Sequence, residues 1–290
     1  MSMENRCVVP QELGSCLDPE GRFQTAWEVA CRAATYLVSD RPTDLNYSTK
    51  SSSTDLVTEM DKGSERIIVD TIRVLFPEDG ILGEEGTNFS GSSGFRWIID
   101  PLDGTVNYLF GIPHWGVSLA IEFNGQVESG VIALPAMQET YASVRGMGSW
   151  CVVSSKDSSD RQVTKLRVRP SSRLSNALVM TGFGYDSARR GRQAELVQEV
   201  ISQIADIRRS GAAVVDLCWF AHGRSDAYFE YGLNVWDYAA GALIATEAGG
   251  LIGGLDSPDF SEFLVAATPH IFDDLRELLV SKNARHLFEY

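Results

Sequence analysis

Residues 97–105 read W-I-I-D-P-L-D-G-T, and their interpretation governs the rest of the chain. The apolar run 95–99 has the look of a buried strand, which stops at Asp100-Pro101 because proline cannot extend an interior ladder. Such a strand delivers Asp100 to a sheet edge, and Asp103 follows three residues later. Gly104 and Thr105 then open a short helix through residues 106–109. Two carboxylates so close disfavour each other's charge unless a cation sits between them, and hard oxygen ligands suit Mg²⁺. The free N–H groups at the start of the short helix are suited to cradle a phosphate. An ordinary P-x-D-G turn with an Asp cap reads the same residues without any chemistry. The motif alone leaves both open.

Working outward, Phe23, Trp27, Ala30, Ala34 and Leu37 recur at steps of three and four, the stripe of an amphipathic helix. A flexible polar loop is expected at 50–54. A second helix carrying Ile67, Ile68, Ile72 and Leu75 is expected to end before Pro77. Ile81-Leu82 is a short apolar stub running into Gly83-Glu84-Glu85-Gly86, and 90–94 is a turn. Further strands are expected at 116–123, 130–134 and 139–144, with Asn124-Gly125 as a hairpin turn. Beyond a polar stretch at 154–160, strands at 178–182, 226–230 and 263–267 alternate with helices at 196–204, 213–221, 237–248 and 270–279. Gly249-Gly250 marks a helix end. The alternation implies α and β layers around two sheets. The expected organisation is a flexible leader at 1–20, an N-terminal half at 21–153 and a C-terminal half at 154–290, forming one compact catalytic unit.

The chain has 290 residues, 44% of them hydrophobic, enough for a substantial core. With 39 acidic against 25 basic residues it carries a formal charge of −14, which repels nucleic acid. A phosphate ester is also an anion, so an acidic protein accepts one only where bound cations invert the local field. No apolar run is long enough to cross a bilayer, and no signal peptide is apparent. The cysteines (Cys7, Cys16, Cys31, Cys151, Cys218) are scattered without a C-x-x-C pair, consistent with reduced thiols and a cytoplasmic location.

Other acidic residues could complete the site. Glu84 follows a short apolar strand, Asp61 enters its helix in T-E-M-D, and Asp237 follows Trp236 before an apolar helix. Each also has a bland reading: a turn glutamate, an acidic first turn, and an N-cap. His114 reads as structural or as a substrate-mouth residue rather than a general base, Cys218 as a core residue, His222 as a helix cap, and Arg208-Arg209 as a solvated helix end.

Four blocks together resemble the inositol monophosphatase family, and within it the bacterial SuhB-type members. They are D-L-V-T-E-M-D at 55–61, I-L-G-E-E-G at 81–86, W-I-I-D-P-L-D-G-T-V-N at 97–107 and V-W-D-Y-A-A-G at 235–241. The resemblance covers about residues 23–250 and implies a layered αβαβα sandwich, an α+β or α/β fold. It implies that Glu84, Asp100 and the Leu102 carbonyl hold one Mg²⁺, that Asp100, Asp103 and Asp237 hold a second, and that a third weaker ion lies near Glu84. Glu84, Asp61 and Thr105 would serve catalysis, with Thr105 and Asp61 orienting the attacking water. Asp103, Gly104, Thr105, Gly211, Ala212, Ala213 and Glu230 would bind substrate. Ala212 departs from the Thr of animal members, and Asn234 from a His of some others.

Implied further are inhibition by Li⁺, a homodimer, and a small phosphorylated alcohol as substrate, with inositol 1-phosphate foremost. Histidinol phosphate, fructose 1,6-bisphosphate and 3′-phosphoadenosine nucleotides are the alternatives. A bisphosphate calls for an extra cationic pocket, which cannot be located from the sequence. Since some SuhB-type proteins join transcription complexes, a transcription-machinery partner is a separate expectation.

Overall fold

The computed structural model describes residues 9, 10, 13, 21–42, 47–49, 56–154, 161–171, 173–282 and 284–288. Its first elements are α1 (Arg22–Ser39), β1 (Tyr47–Thr49), β2 (Leu56–Thr58) and α2 (Glu59–Leu75). Then come β3 (Gly80–Gly83), β4 (Asn88–Phe89), β5 (Phe95–Asp103), α3 (Thr105–Phe110), β6 (Gly116–Phe123) and β7 (Gln126–Leu134). The meander continues through β8 (Glu139–Val144), β9 (Gly148–Ser154) and β10 (Arg161–Lys165). The remainder comprises β11 (Leu178–Thr181), α4 (Ser187–Val200), β12 (Asp206–Arg208), α5 (Ala213–Ala221) and β13 (Ala227–Tyr231). Last are α6 (Val235–Glu247), β14 (Leu251–Gly253), β15 (Phe263–Ala267) and α7 (Phe272–Ser281).

Eight strands form one sheet in the order β10-β9-β8-β7-β6-β5-β3-β4, and five form another in the order β12-β11-β13-β15-β14. Side-chain alternation along each strand builds three cores. Trp97 and Ile99 face outward into a core with Phe23, Trp27 and Leu37 of α1 and Ile68 and Ile72 of α2. Ile98, one step out of phase, faces the middle core with Val214 and Leu217 of α5 and Ile244 of α6. Met180 and Tyr228 reach that core from the second sheet, while Val179 and Phe229 point the other way against α4 and α7. The layering is therefore α1/α2, sheet, α5/α6, sheet, α4/α7: the expected αβαβα sandwich.

Local chemistry places most ends. Asn124 and Gly125 both have positive φ, as a two-residue hairpin turn needs. α2 stops at Leu75, two residues before Pro77, and α6 closes with Gly249 and Gly250 amides returning to Thr246 and Ala245.

Several expectations are corrected. Strand β5 does not stop at Asp100: it runs to Asp103, with Pro101 inside a register shift between Asp100 and Asp103, where no ladder donor is required. The helix expected over 196–204 is α4, ending at Val200 with a 3₁₀ turn at Ile201–Gln203. Ile201 is 45% exposed, so its apolar phase is misleading. Asp237 is not an N-cap: Asn234 is, and Asp237 sits three residues in. Arg208 ends strand β12 and Arg209 follows it, so neither is a helix end. Strands β9 and β10 have no counterpart among the expected elements. Because β10 pairs with β9, the first sheet continues past the polar stretch at 154–160 and ends at Lys165. Of that stretch only Ser154 is described, and the loop expected at 50–54 lies outside the described residues. Within the leader, Leu13 is fully buried in the α1/α2 core. Cys7 and Cys16 lie outside the described residues.

Candidate active site

A cavity of about 280 Å³ opens between the two sheets. The first sheet contributes Glu84 after β3, then Asp100, Leu102 and Asp103 of β5, with Gly104 and Thr105 at the start of α3. The second half contributes Gly211, Ala212 and Ala213 at the start of α5, Glu230 on β13 and Asp237 on α6. Every predicted site residue except Asp61 thus lines one cavity. Asp61 stands behind it.

Asp61 is fully buried at the third position of α2. One oxygen caps the helix, accepting the Thr58 amide at 2.8 Å and the Thr58 hydroxyl at 2.5 Å. The other accepts the Thr105 hydroxyl at 2.9 Å. That hydroxyl also lies 3.1 Å from the Leu102 carbonyl, so one proton is shared between two acceptors. The acidic first turn expected from the sequence therefore has a second role, that of positioning Thr105.

The carboxylates are anchored by backbone donors. Asp100 accepts the Leu102 amide at 3.0 Å, and Asp103 accepts the Val214 amide at 2.7 Å. Asp237 accepts the Asn234 amide at 2.6 Å. Gly104 has φ 88, a left-handed conformation, and a Cβ there would lie 2.8 Å from the His114 carbonyl. Only glycine fits this corner.

Electrostatics bind the acids into one system. Burial, then repulsion from Glu84, Asp103 and Asp237, pushes the Asp100 carboxyl well above the usual range, and a hydrogen bond with Glu84 adds to this. Burial lifts Asp103 to about 7 despite the Val214 amide. Burial, then Asp103 and Glu84, raises Asp237 strongly. Asp103 and Asp237 retain some exposure to the cavity, but protein encloses their other sides, so desolvation dominates. Among the described residues no three His, Cys, Asp or Glu side chains are gathered at ion-holding distances. Shared protons and bound cations are alternative remedies for the same repulsion. The donor set, carboxylates with the Leu102 carbonyl, consists of oxygen alone and fits a hard divalent cation.

On the wall built by the second half of the chain, Glu230 accepts the Tyr228 hydroxyl at 2.6 Å. Burial raises its carboxyl to about 7, against the lowering effects of Tyr228 and Arg209. A Cβ on Gly182 would lie 1.8 Å from the Glu230 carboxylate, so the absence of a side chain there lets Glu230 take its place.

Several residues that hold the site escape sequence reasoning. Glu65, one turn after Asp61, accepts the Glu85 amide at 2.9 Å and the Thr87 hydroxyl at 2.5 Å, fixing the loop that carries Glu84. Asn107 donates to the carbonyls of His114 at 2.7 Å and Ser210 at 3.0 Å, tying α3 to the Gly211 turn. Asp216 is 1% exposed, lines the cavity, and burial raises its carboxyl well above normal. A lone acid in V-V-D-L-C is the available signal. Arg189 and Arg209 also line the cavity. His114 packs its ring edge on Trp219, and His222 caps α5 while its Nδ1 meets the Tyr141 hydroxyl at 3.0 Å.

The αβαβα sandwich with an oxygen-rich acidic cavity between its sheets, taken together with the chain's family membership and relatives, makes it a phosphoric monoester hydrolase. The chain belongs to the inositol monophosphatase family, whose model matches residues 18–282. It is 42% identical over 233 residues to the inositol-1-monophosphatase SuhB of Mycobacterium tuberculosis, covering 78% of each chain. It is 39% identical over 243 residues to the Nus factor SuhB of Pasteurella multocida, covering 81% of this chain and 86% of that one. Its structure is similar to the extragenic suppressor protein SuhB from Bartonella henselae, with a TM-score of 0.79, 32% identity, and coverage of 88% and 96%. Among the described residues no helix is long and apolar enough to cross a membrane.

Proposed function

We propose that the protein hydrolyses phosphomonoesters of small polyols, with inositol 1-phosphate the leading substrate, using Mg²⁺ held by cavity carboxylates. The supporting observation is the convergence of Glu84, Asp100, Asp103 and Asp237 on one cavity beside the Thr105–Asp61 pair. Glu84, Asp100 and the Leu102 carbonyl would hold one ion, and Asp100, Asp103 and Asp237 a second, with Asp100 shared. A third, weaker ion would lie near Glu84. When bound, such ions lower the pKa of water and offset charge on the leaving oxygen.

The chain's own residues supply the rest. Asp61 and the Leu102 carbonyl take up the Thr105 hydroxyl proton, which leaves the hydroxyl oxygen to accept from the incoming water. The backbone of Gly104 and Thr105 offers amides to phosphate oxygens. Glu230, with Gly211, Ala212 and Ala213, faces the hydroxyls of the alcohol, and the short Ala212 leaves that wall tolerant of different polyols.

The test is kcat/KM with Mg²⁺ for inositol 1-phosphate, histidinol phosphate, fructose 1,6-bisphosphate and 3′-phosphoadenosine 5′-phosphate, with Li⁺ as inhibitor. Preference for another ester replaces the substrate; hydrolysis of none, or none dependent on Mg²⁺, rejects the mechanism. The relatives named Nus factor support a second reading, a partner in the transcription machinery. Its test is capture of RNA polymerase by wild type and by Asp100→Asn; no capture by either rejects it.

A further inference from the structure

A cationic pocket for a second anion cannot be located from the sequence, and Arg208-Arg209 reads there as a solvated helix end. Folding separates these two. Arg208 pairs with Asp206 at 2.6 Å, whereas Arg209 turns into the cavity and is joined there by Arg189 of α4. Among the described residues neither the Arg189 nor the Arg209 guanidinium stands in an ion pair.

Both lie on the wall built by the second half of the chain. Arg189 reaches the cavity between the β11–α4 and β13–α6 connections: a Cβ on Gly184 would lie 2.9 Å from its Cδ, and one on Gly232 would lie 2.5 Å from its Nη1. The Tyr231 ring, 5.3 Å away, supports the guanidinium from another side. A Cβ on Gly211 would likewise lie 2.5 Å from Arg209 Nη1. Glycine backbone therefore lets each guanidinium lie close against the wall. The acids that raise one another, Asp100, Asp103 and Asp237, would face the reacting phosphate under the proposed function, and the charge of Arg209 is felt instead at Glu230 and Asp216.

We propose that Arg189 and Arg209 form a second anion subsite, so that beside inositol 1-phosphate the protein takes phosphorylated alcohols carrying a further phosphate or comparable anionic group. A guanidinium held without a carboxylate partner keeps its donors for a phosphate, which it can engage in forked, charge-assisted hydrogen bonds. The inference rests on the phosphatase reading and specifies its substrate class.

The experiment compares kcat/KM for fructose 1,6-bisphosphate and fructose 1-phosphate, measured as release of the 1-phosphate, in wild type, Arg189→Gln, Arg209→Gln and the double variant. The wild type should favour the bisphosphate, and each Gln substitution should lower the ratio by about tenfold. Arg189→Lys should retain part of it, since charge remains but the fork is lost. Melting temperatures confirm that each variant is folded. If the ratio is unchanged in both single variants, or both substrates fall equally, the subsite is overturned and the arginines merely neutralise Glu230. If wild type hydrolyses neither sugar ester nor inositol 1-phosphate, the phosphatase reading itself fails and takes the subsite with it.

Discussion

The Thr105 hydroxyl donates to the buried Asp61 carboxylate at 2.9 Å across 44 residues of sequence. The same carboxylate caps helix α2, so the orientation of Thr105 is locked to the helix that packs on the outer face of β5. Thr105→Val preserves shape and removes the proton donor. We expect kcat to fall by about 100-fold with little change in KM, and Thr105→Ser to recover most of it. Steady-state kinetics of both variants check this; a Val variant with near-normal kcat refutes the role.

Asp100 sits where repulsion from Glu84, Asp103 and Asp237 converges. Asp100→Asn relieves that repulsion while removing a ligand. Without metal the variant should melt higher than wild type by about 2 °C or more, and calorimetry should find Mg²⁺ binding and turnover abolished. A variant that melts lower in metal-free buffer, or still binds Mg²⁺, contradicts the picture of mutually repelling carboxylates that share a cation.

Gly182 tests whether Glu230 faces the alcohol, as proposed. Because a Cβ there would collide with the Glu230 carboxylate, Gly182→Ala should displace Glu230 and raise KM for inositol 1-phosphate at least about tenfold, with a smaller change in kcat. Unaltered KM argues that Glu230 does not touch the alcohol.

Stability should depend on pH through the Arg22–Asp79 pair, which joins α1 to the segment before β3 with contacts of 2.8 and 3.0 Å. Burial alone raises the Asp79 carboxyl, but hydrogen bonds from Arg22, Ser93 and Trp97 outweigh it and hold the group below its ordinary 3.8. A carboxyl lowered on folding stabilises the native state above its unfolded pKa and ceases to do so as pH falls through the folded value. Asp79→Asn should therefore be less stable than wild type at pH 7, the gap closing only below about pH 4. Arg22→Met, which strands a buried carboxylate, should cost about 3–5 kcal/mol at pH 7. Urea unfolding from pH 2.5 to 7 measures both.

Much of the layering is legible because it is periodic. The three-and-four stripe of α1 and the two-residue alternation through Trp97, Ile98 and Ile99 each assign faces without knowledge of partners. The errors fall where local signals compete. β10 alternates with little apolar character as an edge strand, so pairing with β9 rather than composition defines it. At the end of α4, Ile201 keeps the apolar phase although its side chain is exposed. Asp237 reads as a cap because it stands directly before the apolar run, and the capping box gives that place to Asn234 instead.

By itself the sequence determined the local pieces of the site: the Asp100–Thr105 turn, the Thr58–Asp61 cap and the glycine at 104, each set by backbone geometry within a few residues. Only the tertiary structure decided which of these meet. Val214 reaches Asp103 across 111 residues, Asn107 reaches Ser210 across 103, and Arg209 enters the cavity while Arg208 stays outside. Such meetings depend on how the sheets stack and on the direction in which a strand ends. Those are settled by burying three cores at once, a cooperative property of the whole chain that no short stretch of it encodes.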